Sequence, residues 1–236
     1  MKTIVIGDIH GRTIWKDIVL KEQNSSDKIV FIGDYFDTHE DISQEQQINN
    51  FRDLIQFKAD NDNKVILLLG NHDFHYLENA KEQYSGYTSK YANIITVVLE
   101  TALAADLVQI CYVYDKYIFT HAGISKTWVN SVLGSNKPDL STLEQSMNSL
   151  FKEAKSPFRF TPGEDYNPYG DEITQTPIWI GPKSLLSDIL DDCIQVVGHT
   201  TVDYLGIGEK LIQIDCLGTS GEYLTILDGV SIASRI

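Results

Sequence analysis

The chain begins with the stretch Lys2-Thr3-Ile4-Val5-Ile6-Gly7-Asp8-Ile9-His10-Gly11, in which a β-branched run ends at a glycine followed by polar side chains. Two further apolar runs, at residues 29–32 and 65–69, end in the same way at Gly33-Asp34 and Gly70-Asn71. Nearly all-apolar runs are typical of strands that are buried on both faces of a parallel sheet. Because ligands bind at the carboxyl ends of strands in open α/β sheets, we expect the three exits to lie together.

The segments between and after these runs predict the remaining elements. Residues 15–22 and 44–59 place apolar side chains at helical spacing, which completes a βαβαβ pattern with a parallel core and right-handed crossovers. The second half of the chain predicts mostly antiparallel sheet combined with helices. Its predicted helices are 89–105, 140–154 and 183–190, and its predicted strands are 108–114, 117–120, 195–197, 211–215, 223–227 and 230–233.

Domain organisation follows from the same pattern. We predict one domain over residues 1–236, because the chain shows neither an internal repeat nor a low-complexity linker. Residues 156–182 hold five of the six prolines, with aromatic residues interleaved throughout. This composition predicts an ordered, lid-like loop.

Composition excludes several classes of protein. The 236 residues include 33 acidic and 19 basic side chains, for a net charge of −14. Such acidity argues against nucleic acid as a partner, because nucleic-acid binders present a basic face. No apolar run approaches the roughly 18 residues of a membrane span, so an integral membrane protein is excluded. Three dispersed cysteines without a CxxC motif predict reduced thiols and a cytoplasmic location, and the oligomeric state stays open.

Five short motifs follow predicted strands and supply side chains that can bind metal. They are Gly7-Asp8-Ile9-His10-Gly11, Gly33-Asp34-Tyr35-Phe36-Asp37, Gly70-Asn71-His72-Asp73, His121-Ala122-Gly123 and Gly198-His199-Thr200. Carboxylate, amide and imidazole donors without thiolates suit manganese, iron or zinc, and argue against a structural zinc site built on cysteines. The glycines allow sharp turns and a close approach of ligand atoms.

In these motifs and their order, the chain resembles the calcineurin-like metallophosphoesterases. The resemblance is strongest to the phosphoprotein-phosphatase branch, which includes serine/threonine phosphatases and symmetrical dinucleoside tetraphosphatases, and it extends from Gly7 to Thr200. It implies an α/β fold, specifically a four-layer α/β/β/α sandwich with mixed sheets. It also implies two divalent metal ions, for which we favour manganese, with iron, zinc or nickel as alternatives.

The resemblance assigns roles to individual residues of this chain. Six side chains would bind the two metals: Asp8 and His10 hold the first, Asp34 bridges both, and Asn71, His121 and His199 complete the second. His72 would be the general acid that protonates the leaving group, and Asp37 would orient and charge it. A hydroxide that bridges the metals would attack phosphorus directly, without a phosphoenzyme.

The implied activity is hydrolysis of a phosphomonoester, with a phosphorylated small molecule or a phosphoprotein as substrate. Two alternatives stay open: a dinucleoside polyphosphate hydrolase, which would use the same metal core, and a metal-binding module with weak turnover. One departure from the family pattern keeps the substrate open. Thr38-His39 stands where the branch has an Arg-Gly pair, and the missing guanidinium would normally bind phosphate.

Three residues are candidates for substrate binding in place of that arginine. Arg12 follows the first motif directly and is the nearest replacement, and Arg159 at the head of the lid is the second. His39 could donate a hydrogen bond to phosphate or be an ordinary loop residue. His75, three residues after His72, is expected at the surface or in packing.

Acidic side chains are predicted to surround the site. They follow the second motif and recur in the lid: Glu40, Asp41, Glu45, Glu164, Asp165, Asp171 and Glu172. A rim of this charge predicts that polyanions are disfavoured and that small or basic phosphoesters are accepted.

Overall fold

The computed structural model describes residues 1–78, 80, 83–135, 137–160 and 171–236. The strands are β1 (Lys2–Ile6), β2 (Lys28–Phe31), β3 (Val65–Leu67), β4 (Tyr112–Tyr114), β5 (Tyr117–Phe119), β6 (Ile194–Val197), β7 (Gly206–Ile207), β8 (Leu211–Gln213), β9 (Tyr223–Leu227) and β10 (Val230–Ser234). The helices are α1 (Trp15–Glu22), α2 (Gln44–Asp60), α3 (Asn71–Phe74), α4 (Ala92–Ala104), α5 (Lys126–Leu133), α6 (Leu140–Glu153) and α7 (Pro182–Ser187), with a 3₁₀ turn at Ser156–Phe158. No helix in these described ranges is both long and apolar enough to cross a lipid bilayer.

The first sheet has the strand order β10-β9-β1-β2-β3. Its β1, β2 and β3 strands run parallel, with Val5 opposite Val30 and Val30 opposite Ile66. The predicted parallel core is therefore confirmed. At the other edge, β9 and β10 form a hairpin about Asp228-Gly229, where both residues have positive φ, as expected for a two-residue turn.

The second sheet has the order β4-β5-β6-β8-β7. The β4–β5 and β7–β8 pairs are antiparallel, but β5–β6 and β6–β8 are parallel. Among the described strands of the second half, four pairs are antiparallel and two are parallel, so this half is mostly antiparallel as predicted, but the parallel centre of the second sheet was not expected. The chain leaves β5, forms α5, α6 and α7, and returns at β6; a crossover of this length gives parallel pairing.

Successive side chains of the strands in the first sheet point to opposite faces, so the core is divided into separate layers on its two sides. Val5, Val30 and Ile66 face the second sheet, where they meet Phe119 and Val196. The opposite face of the first sheet packs against α1 and α2, and α7 covers part of the second sheet on its outer face. The structure confirms the mixed-sheet α/β sandwich, and its parallel strands end at the edge that carries the polar motifs.

The lid-like segment lies only partly within the described residues. Residues 161–170, which include Glu164 and Asp165, lie outside them. Phe158 is fully buried and its carbonyl accepts a hydrogen bond from the Thr176 hydroxyl at 3.2 Å. The Pro177 carbonyl accepts the Ala122 N–H at 2.7 Å. The described ends of the segment thus pack on the body, while the lid role and the single-domain organisation stay predictions.

Candidate metal centre

Four residues at the strand exits have left-handed backbone conformations. The φ angles are +43° at His10, +50° at Asp34, +62° at Asp37 and +64° at His199. Such φ angles are uncommon outside glycine and cost on the order of 1–3 kcal/mol each, and they recur where function constrains the backbone. The turns direct the side chains of these residues toward one another.

Donor atoms of the predicted second metal site converge around Asn71. Its Oδ1 lies 2.9 Å from His121 Nε2 and 2.9 Å from His199 Nδ1. Asp34 Oδ2 lies 3.4 Å from the same Nε2 of His121. Because Nδ1 of His121 donates to the Ile32 carbonyl at 3.0 Å, its Nε2 is held toward the cluster.

The donors predicted for the first metal lie beside this cluster. His10 donates from Nδ1 to the Phe36 carbonyl at 2.8 Å, which leaves its Nε2 3.7 Å from Asp34 Oδ2. Asp8 is fully buried, and its Oδ2 accepts the His199 backbone N–H at 2.9 Å. Its Oδ1 has no hydrogen-bond partner among the described residues. A buried carboxylate oxygen without a partner is costly unless a cation satisfies it.

Glycines bring the backbone into contact with these carboxylates. A Cβ at Gly198 would lie 1.9 Å from Asp8 Oδ1, and one at Gly70 would lie 2.1 Å from Asp34 Oδ1. Neither position can hold a side chain unless the carboxylate moves. The glycines of the sequence motifs therefore serve close approach, as predicted.

The electrostatics of the cluster favour a cation. Burial would lower the pKa of His121, but the charges of Asp34 and Asp8 outweigh it and raise this pKa to about 10. Burial and the nearby charge of Asp215 raise the pKa of Asp8 well above its usual range. Burial, together with the charge of His121, lowers the pKa of His199 to about 3. Positive charge is therefore favoured where the imidazole nitrogens face the carboxylates. A divalent metal held by these residues would supply that charge.

The predicted catalytic pair lies next to the metal donors. His72 Nδ1 lies 3.2 Å from Asp37 Oδ2, and the His72 ring makes an edge contact with His10 at 5.4 Å between centroids. Burial would raise the pKa of Asp37, but contacts from His72, His75 and Tyr76 outweigh it and lower this pKa. Burial would likewise lower the pKa of His72, but the charges of Asp34 and Asp37 raise it. The imidazole can therefore carry a proton near neutral pH.

Two residues that the motifs did not assign to the site also contact Asp37. His75 is buried, with Nε2 2.6 Å from Asp37 Oδ2, and the Tyr76 hydroxyl donates to Asp37 Oδ1 at 2.6 Å. The only sequence signal was the position of His75 three residues after His72. The single helical turn α3 begins within the motif that holds His72 and ends just before His75, and it brings both side chains to Asp37.

The predicted substrate-binding residues differ in their placement. Arg12 lies beside the first metal donors: its Nη1 donates to the Asp8 carbonyl at 3.4 Å, and its Nε donates to Glu40 Oε1 at 2.6 Å. His39 is exposed on the loop that follows Asp37. Arg159 is half-buried after the Ser156–Phe158 turn. The roles of these three residues in substrate binding stay predictions.

Residues 1–203 match the family model of the calcineurin-like phosphoesterases. The chain belongs to this family. Calcineurin-like phosphoesterases use two divalent metals. The described part of this chain contains two groups of side chains that could each hold a metal ion: Asp8 with Asp34 and His121, and Asp37 with His72 and His75. The family assignment makes the protein a hydrolase of phosphoric esters.

Solved structures share the fold of this phosphoesterase. It is similar to a cold-active protein-tyrosine phosphatase of a psychrophilic Shewanella species, at 18% identity and a TM-score of 0.61, over 99% of this chain and 77% of that one. It is also similar to a protein serine/threonine phosphatase from Saccharomyces cerevisiae, at 14% identity and a TM-score of 0.55, over 100% of this chain and 80% of that one. Among curated protein sequences, none matches this phosphoesterase. At such identities the similarity shows the fold alone.

Proposed function

We propose that the protein is a phosphatase that hydrolyses phosphomonoesters with two divalent metals, in the manner of a serine/threonine phosphatase. The observation that carries the proposal is the position of Asp34 between two sets of donors. Its Oδ2 lies 3.4 Å from Nε2 of His121 and 3.7 Å from Nε2 of His10. A carboxylate has enough lone pairs to serve two cations, whereas a neutral imidazole offers one.

The residues that would hold the metals are the six predicted ligands. Asp8 and His10 would hold one ion, Asn71, His121 and His199 the other, with Asp34 shared. We propose manganese as the native metal, since the donors are oxygen and nitrogen without sulfur. When bound, such ions lower the pKa of water toward neutrality and offset charge on phosphate.

A side chain of the protein would protonate the leaving group. His72 is held through Nδ1 by Asp37, which leaves Nε2 to give a proton to the departing alkoxide. An acid of this kind contributes typically 10²–10⁴-fold to the rate.

We infer that no phosphoenzyme forms on a cysteine. All three cysteines are free and buried. Burial raises the pKa of the Cys111 thiol well above its usual range and that of the Cys193 thiol to about 11. A buried thiol that stays protonated is a poor nucleophile. The free thiols also support the proposed cytoplasmic location.

Arg12 is the residue that we propose as the phosphate contact, because it lies beside Asp8. Its guanidinium is held by Glu40 on one side, and a Cβ at Gly218 would lie 2.4 Å from its Nη2. The side chain is therefore fixed close to the metal donors. A fixed guanidinium can donate to phosphate oxygens without first being ordered.

The test is manganese-dependent release of p-nitrophenol from p-nitrophenyl phosphate. Asp34→Asn is expected to lower activity by at least about 10³-fold, because it removes the shared charge. The matched control is Asp53→Asn, an exposed residue paired with Lys16, which is expected to keep activity. Wild-type protein without activity in any divalent metal would refute the proposal and favour the metal-binding module.

A substrate panel separates the remaining alternative. Phosphopeptides, mononucleotides and diadenosine tetraphosphate would be compared with manganese, nickel or zinc. We expect the phosphomonoesters to have the higher kcat/KM. A preference for the dinucleotide beyond about tenfold, or ~1.4 kcal/mol of transition-state discrimination, would identify a dinucleoside polyphosphate hydrolase instead.

A further inference from the structure

The carboxylate of Asp37 is surrounded by three side chains, although the proposed mechanism uses only one of them. Its Oδ2 faces His72 Nδ1 at 3.2 Å and His75 Nε2 at 2.6 Å. Its Oδ1 accepts the Tyr76 hydroxyl at 2.6 Å. Asp37 is 1% exposed, so these groups decide where the carboxylate points.

Backbone N–H groups of the 83–88 loop determine how His75 and Tyr76 present their protons. The Tyr84 N–H donates to His75 Nδ1 at 3.2 Å, and the Thr88 N–H donates to the Tyr76 hydroxyl oxygen at 3.0 Å. A neutral imidazole has one bare nitrogen and one N–H. Because Nδ1 accepts a hydrogen bond here, the proton of the neutral ring must be on Nε2, which is the nitrogen facing Asp37. Nε2 lies 2.6 Å from Oδ2 without meeting the geometry of a regular hydrogen bond, so the contact is mainly electrostatic.

This tautomer excludes one other role for the cluster. Asp37, His72 and His75 could in principle hold a metal ion. A metal on His75 would need a bare Nε2 and would move the proton to Nδ1, where it would oppose the Tyr84 N–H. The hydrogen bonds of the loop therefore favour a proton at this position, not a cation.

We propose that His75 is a positioning residue for general-acid catalysis: it holds Asp37 in the orientation that fixes Nδ1 of His72. The inference rests on the proposed phosphatase function. Its Nε2–H and the Tyr76 hydroxyl approach opposite oxygens of Asp37, so the carboxylate cannot rotate away from His72. Without the His75–Asp37 contact, His72 is still present as the acid but is less well oriented toward the leaving group. Only reactions whose leaving group needs a proton are then slowed.

Two substitutions at position 75 separate the contact with Asp37 from the hydrogen bond with Tyr84. In His75→Asn the side-chain oxygen can still accept from the Tyr84 N–H, but the group that faces Asp37 is lost. In His75→Gln the longer amide can still donate to Asp37, but the acceptor for Tyr84 is lost. Turnover of p-nitrophenyl phosphate, which has a good leaving group, would be compared with that of phosphoserine, which has a poor one.

We expect His75→Asn to lower kcat for phosphoserine about tenfold more than for p-nitrophenyl phosphate, and His75→Gln to restore most of that difference. In a His72→Asn background, where the acid is absent, His75→Asn is expected to add no further selectivity. Equal losses on both substrates, or a selective loss that persists without His72, would overturn the inference. Inactive wild-type protein would instead refute the proposed function itself.

A measurement on the metal-free protein tests the premise without turnover. The ¹⁵N shifts of the His75 ring are expected to show a protonated Nε2 and a bare Nδ1 in the wild type. The opposite tautomer would overturn the inference, and so would a third manganese ion per chain that is lost in His75→Asn.

Discussion

At the scale of single residues, Gly198 offers a direct test of the metal centre. A Cβ at this position would lie 1.9 Å from Asp8 Oδ1 and would displace that carboxylate. We therefore expect Gly198→Ala to weaken manganese binding at least about tenfold, or ~1.4 kcal/mol. Titration calorimetry measures the affinity. Gly206→Ala is the control, because a Cβ there would meet only Gln213 Cβ at 3.9 Å; equal affinities in both variants would contradict this assignment of Asp8.

The same scale shows what the motifs could and could not predict. Asp8, Asp34 and His199 follow strand exits beside glycines, a pattern that local sequence displays in full. The part played by His75 depends on Asp37, 38 residues earlier, and on the backbone of Tyr84. Neither contact has a local signature, because the first forms when the end of α3 meets the loop that carries Asp37, and the second when the 83–88 loop packs against His75. For this reason the sequence predicts no more for His75 than a place at the surface or in packing.

At the scale of elements, Glu22 joins α1 to the first sheet. Its Oε1 accepts the Tyr223 hydroxyl at 2.8 Å, and its Oε2 pairs with Lys2 Nζ at 2.5 Å. Burial would raise the pKa of Glu22, but these two partners outweigh it and lower this pKa below 4.5. The carboxylate therefore stabilises the fold above the pKa of the unfolded chain, and this contribution is lost as pH falls through the lower, folded value.

We expect Glu22→Gln to lower the free energy of unfolding by about 1–3 kcal/mol at neutral pH, a range typical of hydrogen bonds to charged groups. The difference from wild type should shrink as the pH falls through the lowered, folded pKa of Glu22, because the wild-type carboxylate is then protonated as well. Urea unfolding at several pH values measures it. Glu209→Gln, an exposed residue in the β7–β8 turn, serves as the control. A difference that stays constant over the whole acid range in which the protein remains folded would show that charge is not its source.

The direction of the central strands of the second sheet was the property of the elements that the sequence could not supply. Strands β5, β6 and β8 are short and apolar, as are β1 and β2, but a period of two describes parallel and antiparallel strands alike. Their direction depends on where the chain returns after α7, which is a property of packing. The β4–β5 and β9–β10 hairpins differ in this respect, because their turn residues, Asp115-Lys116 and Asp228-Gly229, are local in sequence.

At the scale of the whole molecule, the net charge of −14 bears on substrate choice. Two divalent ions would attract phosphate locally, so the global charge acts mainly on the groups that flank it. Asp41 and Glu45 are exposed near the start of α2, close in sequence to the Asp34 motif, whereas Glu40 is paired with Arg12. Asp171 adds a further carboxylate at the start of α7, where its Oδ1 accepts the Ser184 N–H at 2.9 Å.

We therefore expect phosphopeptides with lysine flanks to have a higher kcat/KM than otherwise identical peptides with glutamate flanks. The ratio should fall toward one as salt is raised past about 0.1 M, where the Debye length is about 10 Å. Removing two charges in Asp41→Asn/Glu45→Gln should reduce the low-salt ratio. The matched control Asp228→Asn/Glu209→Gln removes the same charge at the ends of the sheets away from the metal donors. The low-salt ratio in this control should stay close to that of the wild type. Faster turnover of the acidic peptide, or a ratio that salt does not change, would show that the rim plays no part in selection, and the preference would then have to come from contacts made by Arg12 and its neighbours.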